Sequence, residues 1–167
     1  MRRTLFLFVL VLAVPVYSQD KNLPWQQFNE VGAAKLNFLF WSVYRARLLS
    51  ETAEFEFSPS QAFALELEYQ RDFSKSDLVS ETRRQWEEIG MQFNREWLEQ
   101  LSTLLVDVKE KDQITLFVDK RFHSYFYHNG NLTGAIKDSD FTKHFAGIWL
   151  SEDTTRPAMR KNLLGNS

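Results

Sequence analysis

The sequence predicts an α+β protein with antiparallel strand pairing, and three observations carry that reading. Several stretches alternate apolar and polar residues with the period of a half-buried strand, Ala62 to Arg71 most cleanly. Others repeat apolar residues at helical spacing behind capping residues. Asn129-Gly130 then joins two alternating runs with the dipeptide that type I′ hairpins favour, because both central positions need positive φ.

The N-terminus precedes the globular part. Arg2 and Arg3 are followed by an apolar run from Leu5 to Val14, then by Pro15 and by small residues suited to cleavage after Ser18. This is the layout of a secretory signal peptide over residues 1–18. The alternative is an uncleaved anchor, but the run is shorter than the roughly 20 residues that span a bilayer. Cleavage leaves residues 19–167 as one domain. The sequence offers no second hydrophobic span, so a periplasmic or secreted product is expected.

Residues 19–31 read as an irregular arm or a short edge strand. Ala34 to Leu49 reads as one long strand. Its even positions are mostly apolar (Leu36, Phe38, Phe40, Tyr44), and its odd ones are charged or polar only towards the ends (Lys35, Arg45, Arg47). A hairpin near Ser42 would make it two strands. After the turn at Ser58-Pro59-Ser60, the next strand places Phe63, Leu65, Leu67 and Tyr69 on one face and Glu66, Glu68 and Gln70 on the other. Arg71 extends the apolar face, where a cation either reaches out to water or meets an anion.

Ser74 with Asp77 three residues on predicts a helix start, and Gly90 its stop. A second helix is expected from Met91, with Phe93, Trp97, Leu101 and Leu105 on its buried stripe. Ile114 to Val118, Arg121 to His128 and Leu132 to Ile136 then form a meander. Asp138 or Ser139 caps a third helix. Thr155 caps a fourth, with Pro157 in its first turn and Gly165 beyond its end.

Composition narrows the chemistry. The chain has 167 residues, with 15 Phe, five Trp and five Tyr, and a net charge of −2. It carries no basic run or stripe, which disfavours nucleic-acid binding. The absence of Cys excludes disulfides, thiol nucleophiles and thiolate metal sites. His123, His128 and His144 show no metal-ligand spacing, and no HExxH, GxSxG, GxGxxG or Walker loop occurs. Neither metal nor cofactor is expected. What remains is an aromatic sheet face with cations Lys35, Arg45, Arg47 and Arg71. That set suits an amphiphile with an anionic head, an apolar pocket holding the tail and a guanidinium fork the head. By composition alone, a plain core with cations at the sheet rim is the favoured account.

Three strings point further: VGAAKLNFLFWSVYRARLL, FALELEYQRDFSKSDL, and FYHNGNLTGAIKDSDFTKHFAGIWLSEDTTRPAMRKNLLG. In this order and spacing they resemble the chalcone isomerase-like proteins, especially an exported bacterial branch. The resemblance implies helices layered on one face of an antiparallel sheet, an open-faced β-sandwich, with a ligand cleft between the layers. Its enzymes cyclise chalcones, and its non-enzymatic relatives include fatty-acid-binding proteins. The enzymes' early Arg corresponds most nearly to Lys35, and their Thr falls at Tyr44 or Arg45. Ser76, Asp77 and Leu78 stand where a Tyr is expected. Lys in place of Arg keeps the charge but loses the fork, so isomerase chemistry is poorly supported.

The expectation is therefore a non-catalytic periplasmic protein that binds a small amphipathic ligand such as a fatty acid. The ligand-binding residues would be Lys35, Trp41, Tyr44, Arg45, Tyr69, Arg71 and Trp86, with Arg71 or Lys35 at the head group. The alternatives are a chalcone isomerase-type lyase, and an interaction protein docking through aromatics such as Trp41 or Tyr125.

Overall fold

The computed structural model describes residues 22–38 and 40–166; the expected signal peptide, residues 1–18, lies outside them. The architecture is α+β. One antiparallel sheet runs in sequence order: β1 (Asn29–Phe38), β2 (Trp41–Ser50), β3 (Phe63–Tyr69), β4 (Gln113–Val118), β5 (Ser124–His128) and β6 (Asn131–Ile136). Four helices accompany it: α1 (Lys75–Glu88), α2 (Arg95–Leu104), α3 (Ser139–Leu150) and α4 (Pro157–Leu163).

Of the two readings of Ala34 to Leu49, one long strand or a hairpin near Ser42, the hairpin is the one found. Phe38 pairs with Trp41, so the chain reverses just before Ser42. No Gly, Asn or Pro marks this turn, and the alternation runs on through it. The pairing passes from Leu36–Tyr44 to Asn37–Ser42, which leaves Val43 as a bulge. A bulge shifts strand parity by one. This brings Trp41, an odd residue, to the same cavity as Tyr44.

The capping box at Ser74 and Asp77 forms as expected. Helix α2 starts at Arg95 rather than Met91, because the Asn94 side chain accepts from the Glu96 amide and caps it there. Asp138 caps α3 by accepting from the Asp140 and Phe141 amides. Thr155 does not cap α4. The N-cap is Arg156, without a side-chain cap bond, and the Thr155 hydroxyl donates instead to Gln85 Oε1 at 2.9 Å. Asn129 and Gly130 both take positive φ, as the I′ hairpin requires. Helix α4 lies along edge strand β1. A Cβ on Gly32 would meet the Leu163 carbonyl oxygen at 2.7 Å and the Gly165 nitrogen at 2.9 Å, so this approach demands glycine.

The main core lies between one sheet face and the helices. Trp86 from α1, Trp97 from α2, Phe141 and Phe145 from α3, and Phe126 from β5 meet there in edge-on and stacked pairs. On the other face, the arm at 22–28 folds over as a turn rather than as a strand. Trp25 packs with Leu49 and Ala64, flanked by Phe117 and Tyr127. This covers Glu66, which alternation alone would leave in water. Glu66 is only 6% exposed; it accepts from Trp25 Nε1 at 2.9 Å and from Arg47 Nε at 3.0 Å. Removing one partner of a buried charge is costly, though Arg47 is half exposed and water would soften the loss. Arg47→Met should lower unfolding free energy by about 2 kcal/mol in urea. Adding Glu66→Gln should recover part of that. An additive double variant would mean that the two side chains are not coupled.

Candidate functional site

Between the β1–β4 half of the sheet and helices α1 and α3 lies a cavity of about 860 Å³. That is the size range of small-molecule sites. Its floor is apolar: Leu65 and Leu67 from β3 and Ile114 and Leu116 from β4. Phe145 and Ile148 of α3 and Leu78 of α1 close it from above. Alternation on β3 and β4 and helical spacing on α3 aim these side chains inward.

Polar side chains line it too, among them Asp72, Asp77, Glu81, Arg84 and Gln85. Trp149 Nε1 donates to the Tyr44 hydroxyl at 2.8 Å, which leaves the phenol's own proton uncommitted. Tyr69 lies opposite Tyr44 in the register, with ring centroids 5.9 Å apart. The Tyr69 hydroxyl makes no hydrogen bond to the described residues. Burial pushes Tyr44 up to about 12, against the downward pull of the Trp149 bond and the nearby Arg156 charge. Burial raises Tyr69 too, and Tyr44 adds to the effect. Both phenols are therefore neutral donors at physiological pH. For Glu81, burial acts upward but is outweighed by hydrogen bonds from Arg84 and Gln85, so its carboxyl sits below its ordinary value.

Two guanidiniums line the cavity without an ion-pair partner among the described residues, Arg71 and Arg156. Arg71 is exposed and sits 5.6 Å over the Trp41 ring and 5.7 Å over that of Phe73. Arg156 is half-buried and acts electrostatically on both Tyr44 and Glu81.

The structure brings Trp41, Tyr44, Tyr69 and Arg71 together on this cavity. Lys35, Arg45 and Trp86 do not line it. Lys35 and Arg45 are register partners, both exposed beside the buried Ala34–Ala46 pair, and alternation sets them on the opposite sheet face. Trp86 is fully buried among Phe93, Trp97 and Phe141, its indole donating to the His144 carbonyl. Asp77 and Leu78 reach the cavity from the first turn of α1, while Ser76 does not. Arg156, Trp149 and Gln85 were not singled out in the sequence. Arg156 precedes Pro157 and reads there only as a helix start.

The raised phenols give a stability prediction. The unfolded chain ionises Tyr near pH 10, whereas the folded chain holds Tyr44 neutral to about 12. Their contribution is complete below pH 10 and is lost as pH rises towards 12. For Tyr44 alone the loss is about 3 kcal/mol. Denaturation midpoints measured from pH 9 to 12 should fall, and less steeply in Tyr44→Phe. Equal slopes would contradict the assignment.

An antiparallel sheet with a helix layer on one face and a cavity between them is an open-faced sandwich. A protein-family model described as chalcone isomerase-like matches residues 32–165. The chain belongs to that family. No curated protein matches this chain. Among solved structures, a fatty-acid binding protein of Arabidopsis thaliana superposes with a TM-score of 0.63 at 13% identity, covering 84% of this chain and 88% of that one. At that identity the likeness establishes the fold. No helix among the described residues is long and apolar enough to cross a membrane.

Proposed function

We propose that this protein binds, without catalysis, a single-chain amphiphile of the fatty-acid class in the sheet–helix cavity, as a periplasmic protein. The observation that carries the reading is the pairing of two uncommitted phenol donors with an unpaired guanidinium inside an apolar cavity. Tyr44, Tyr69 and Arg156 offer a carboxylate what it needs, charge-assisted hydrogen bonds in a place poor in water. The leucine and isoleucine floor accepts the tail. Arg71 stands at the mouth, stacked on Trp41. The fatty-acid ligand of the structural neighbour is in keeping with this chemistry. The residue 1–18 layout supports export.

Isomerisation has less support. Lys35, the nearest match to the enzymes' Arg, lies outside the cavity, and the Thr position falls at Tyr44 or Arg45, neither of which is a Thr. Mass spectrometry of organic extracts from protein purified in its host should show bound fatty acid. Titration of stripped protein should show saturable binding of fatty acids and no acceleration of chalcone cyclisation. An empty extract together with a flat titration would remove the reading. Fractionation of the host cell tests the compartment.

A further inference from the structure

The tip of the β1–β2 hairpin inverts the usual burial pattern. Phe38, Phe40 and Trp41 are 62%, 98% and 64% exposed. Large apolar side chains gathered at one exposed point mark a contact surface. A tight hairpin has no need of them, since small polar residues and Gly serve there better.

Cations stand directly behind the tip. Lys35 and Arg45 face each other across the hairpin, both exposed, and neither has an ion-pair partner among the described residues. Arg71 lies over the Trp41 ring. Of the acids nearby, Asp72 is paired with Lys109, while Glu68, the register partner of Arg45, accepts from the neutral Gln70 amide and keeps its charge, so the cations outnumber the uncompensated acids. At about 3.3 Å per residue, Lys35 sits about 10 Å behind Phe38. Interfacial apolar groups sink about 5–10 Å into a bilayer, so cations at this distance meet the lipid phosphates. Aromatic residues favour that boundary as well.

We infer that this tip docks on an anionic lipid bilayer, with Phe38, Phe40 and Trp41 in the headgroup–acyl boundary and Lys35, Arg45 and Arg71 against the phosphates. Phe38, Trp41 and Arg71 also line the cavity, so its mouth opens onto the docked surface. An amphiphile would pass between acyl layer and cavity without crossing bulk water. Docking stands independently of what fills the cavity; the transfer route rests on the fatty-acid reading.

The chain has no Cys, so Phe40→Cys gives one attachment point for an environment-sensitive fluorophore. Phe40 lies outside the cavity and the core, so the change leaves both intact. Vesicles of phosphatidylcholine and phosphatidylglycerol should shift the label to the blue, and a lipid-borne quencher should quench it. A label at Ser139→Cys, exposed at the start of α3, should not respond. Lys35→Gln with Arg45→Gln should weaken vesicle binding about 30-fold and leave fatty-acid titrations unchanged. A tip label indifferent to vesicles overturns the proposal. So does equal quenching at Ser139, which would assign adsorption to another segment. A shift produced by raising protein concentration without lipid overturns it in favour of a second copy. If fatty-acid titration fails while tip quenching persists, only the cavity reading falls.

Discussion

Arg156→Gln is expected to weaken fatty-acid binding by about 2–3 kcal/mol, roughly 30- to 150-fold, and to leave stability almost unchanged. The guanidinium lines the cavity beside Tyr44 and makes no salt bridge to a described residue, acting on the Glu81 carboxylate only through space, so its removal costs the fold little. With ligand bound, it would face a carboxylate in a largely apolar enclosure, and a truncated partner there leaves that charge unpaired. Tyr69→Phe should act in the same direction by about tenfold, since it removes one donor and no volume that matters. Arg71→Gln is the contrast. Its guanidinium is exposed at the mouth, where charge pairs contribute about 0–1 kcal/mol, so the expected loss is fivefold or less. Calorimetric titration of the three variants with one fatty acid ranks them. A larger loss in Arg71→Gln than in Arg156→Gln would move the head group to the mouth. Equal affinities throughout would mean that the cavity holds no anion.

The contrast between these arginines also shows which features of the site are visible in the sequence. Arg71 could be found because it extends an alternating strand beyond Tyr69. Arg156 could not: it comes from the connection between α3 and α4, and only the packing of that loop over α1, through Thr155 and Gln85, turns it towards Tyr44. Tyr44 and Arg45 are adjacent in a strand and so cannot share a face, and alternation decides in favour of Tyr44. Trp41 escapes that parity only through the bulge at Val43, which no residue type announces. Glu66 follows the alternation but not its usual consequence, because the arm carrying Trp25 covers the face that should meet water. Helix starts at Ser74 and Asp138 and the Asn129-Gly130 turn were legible because each is settled by local hydrogen bonding or backbone φ. What stayed illegible depends on residues that are far apart in the chain.

Trp86→Ala should cost about 3–5 kcal/mol of stability, the usual range for losing a large buried aromatic. Helical spacing nominates Trp86 for the site as readily as for the core, since both lie on the inner side of α1. Its surroundings decide between them. The ring is fully buried against Phe93, Trp97 and Phe141, and its Nε1 donates to the His144 carbonyl at 3.0 Å, fastening α1 to α3. Alanine would leave a cavity and remove the side-chain bond that ties α1 to α3, though the His144 carbonyl keeps its place in the helical ladder of α3. Against a total stability of about 5–15 kcal/mol for a domain of this kind, that is enough to leave a marginal fold. Phenylalanine refills most of the volume and forgoes only the hydrogen bond, so Trp86→Phe should lose about 1–2 kcal/mol. The two roles separate in a paired measurement. Urea midpoints should fall in the order wild type, Phe, Ala, while fatty-acid affinity per folded molecule stays level between wild type and Phe. A Trp86→Phe protein of nearly native stability but with tenfold weaker binding would return Trp86 to the ligand site. It would also require the α1–α3 seam to open when the cavity fills.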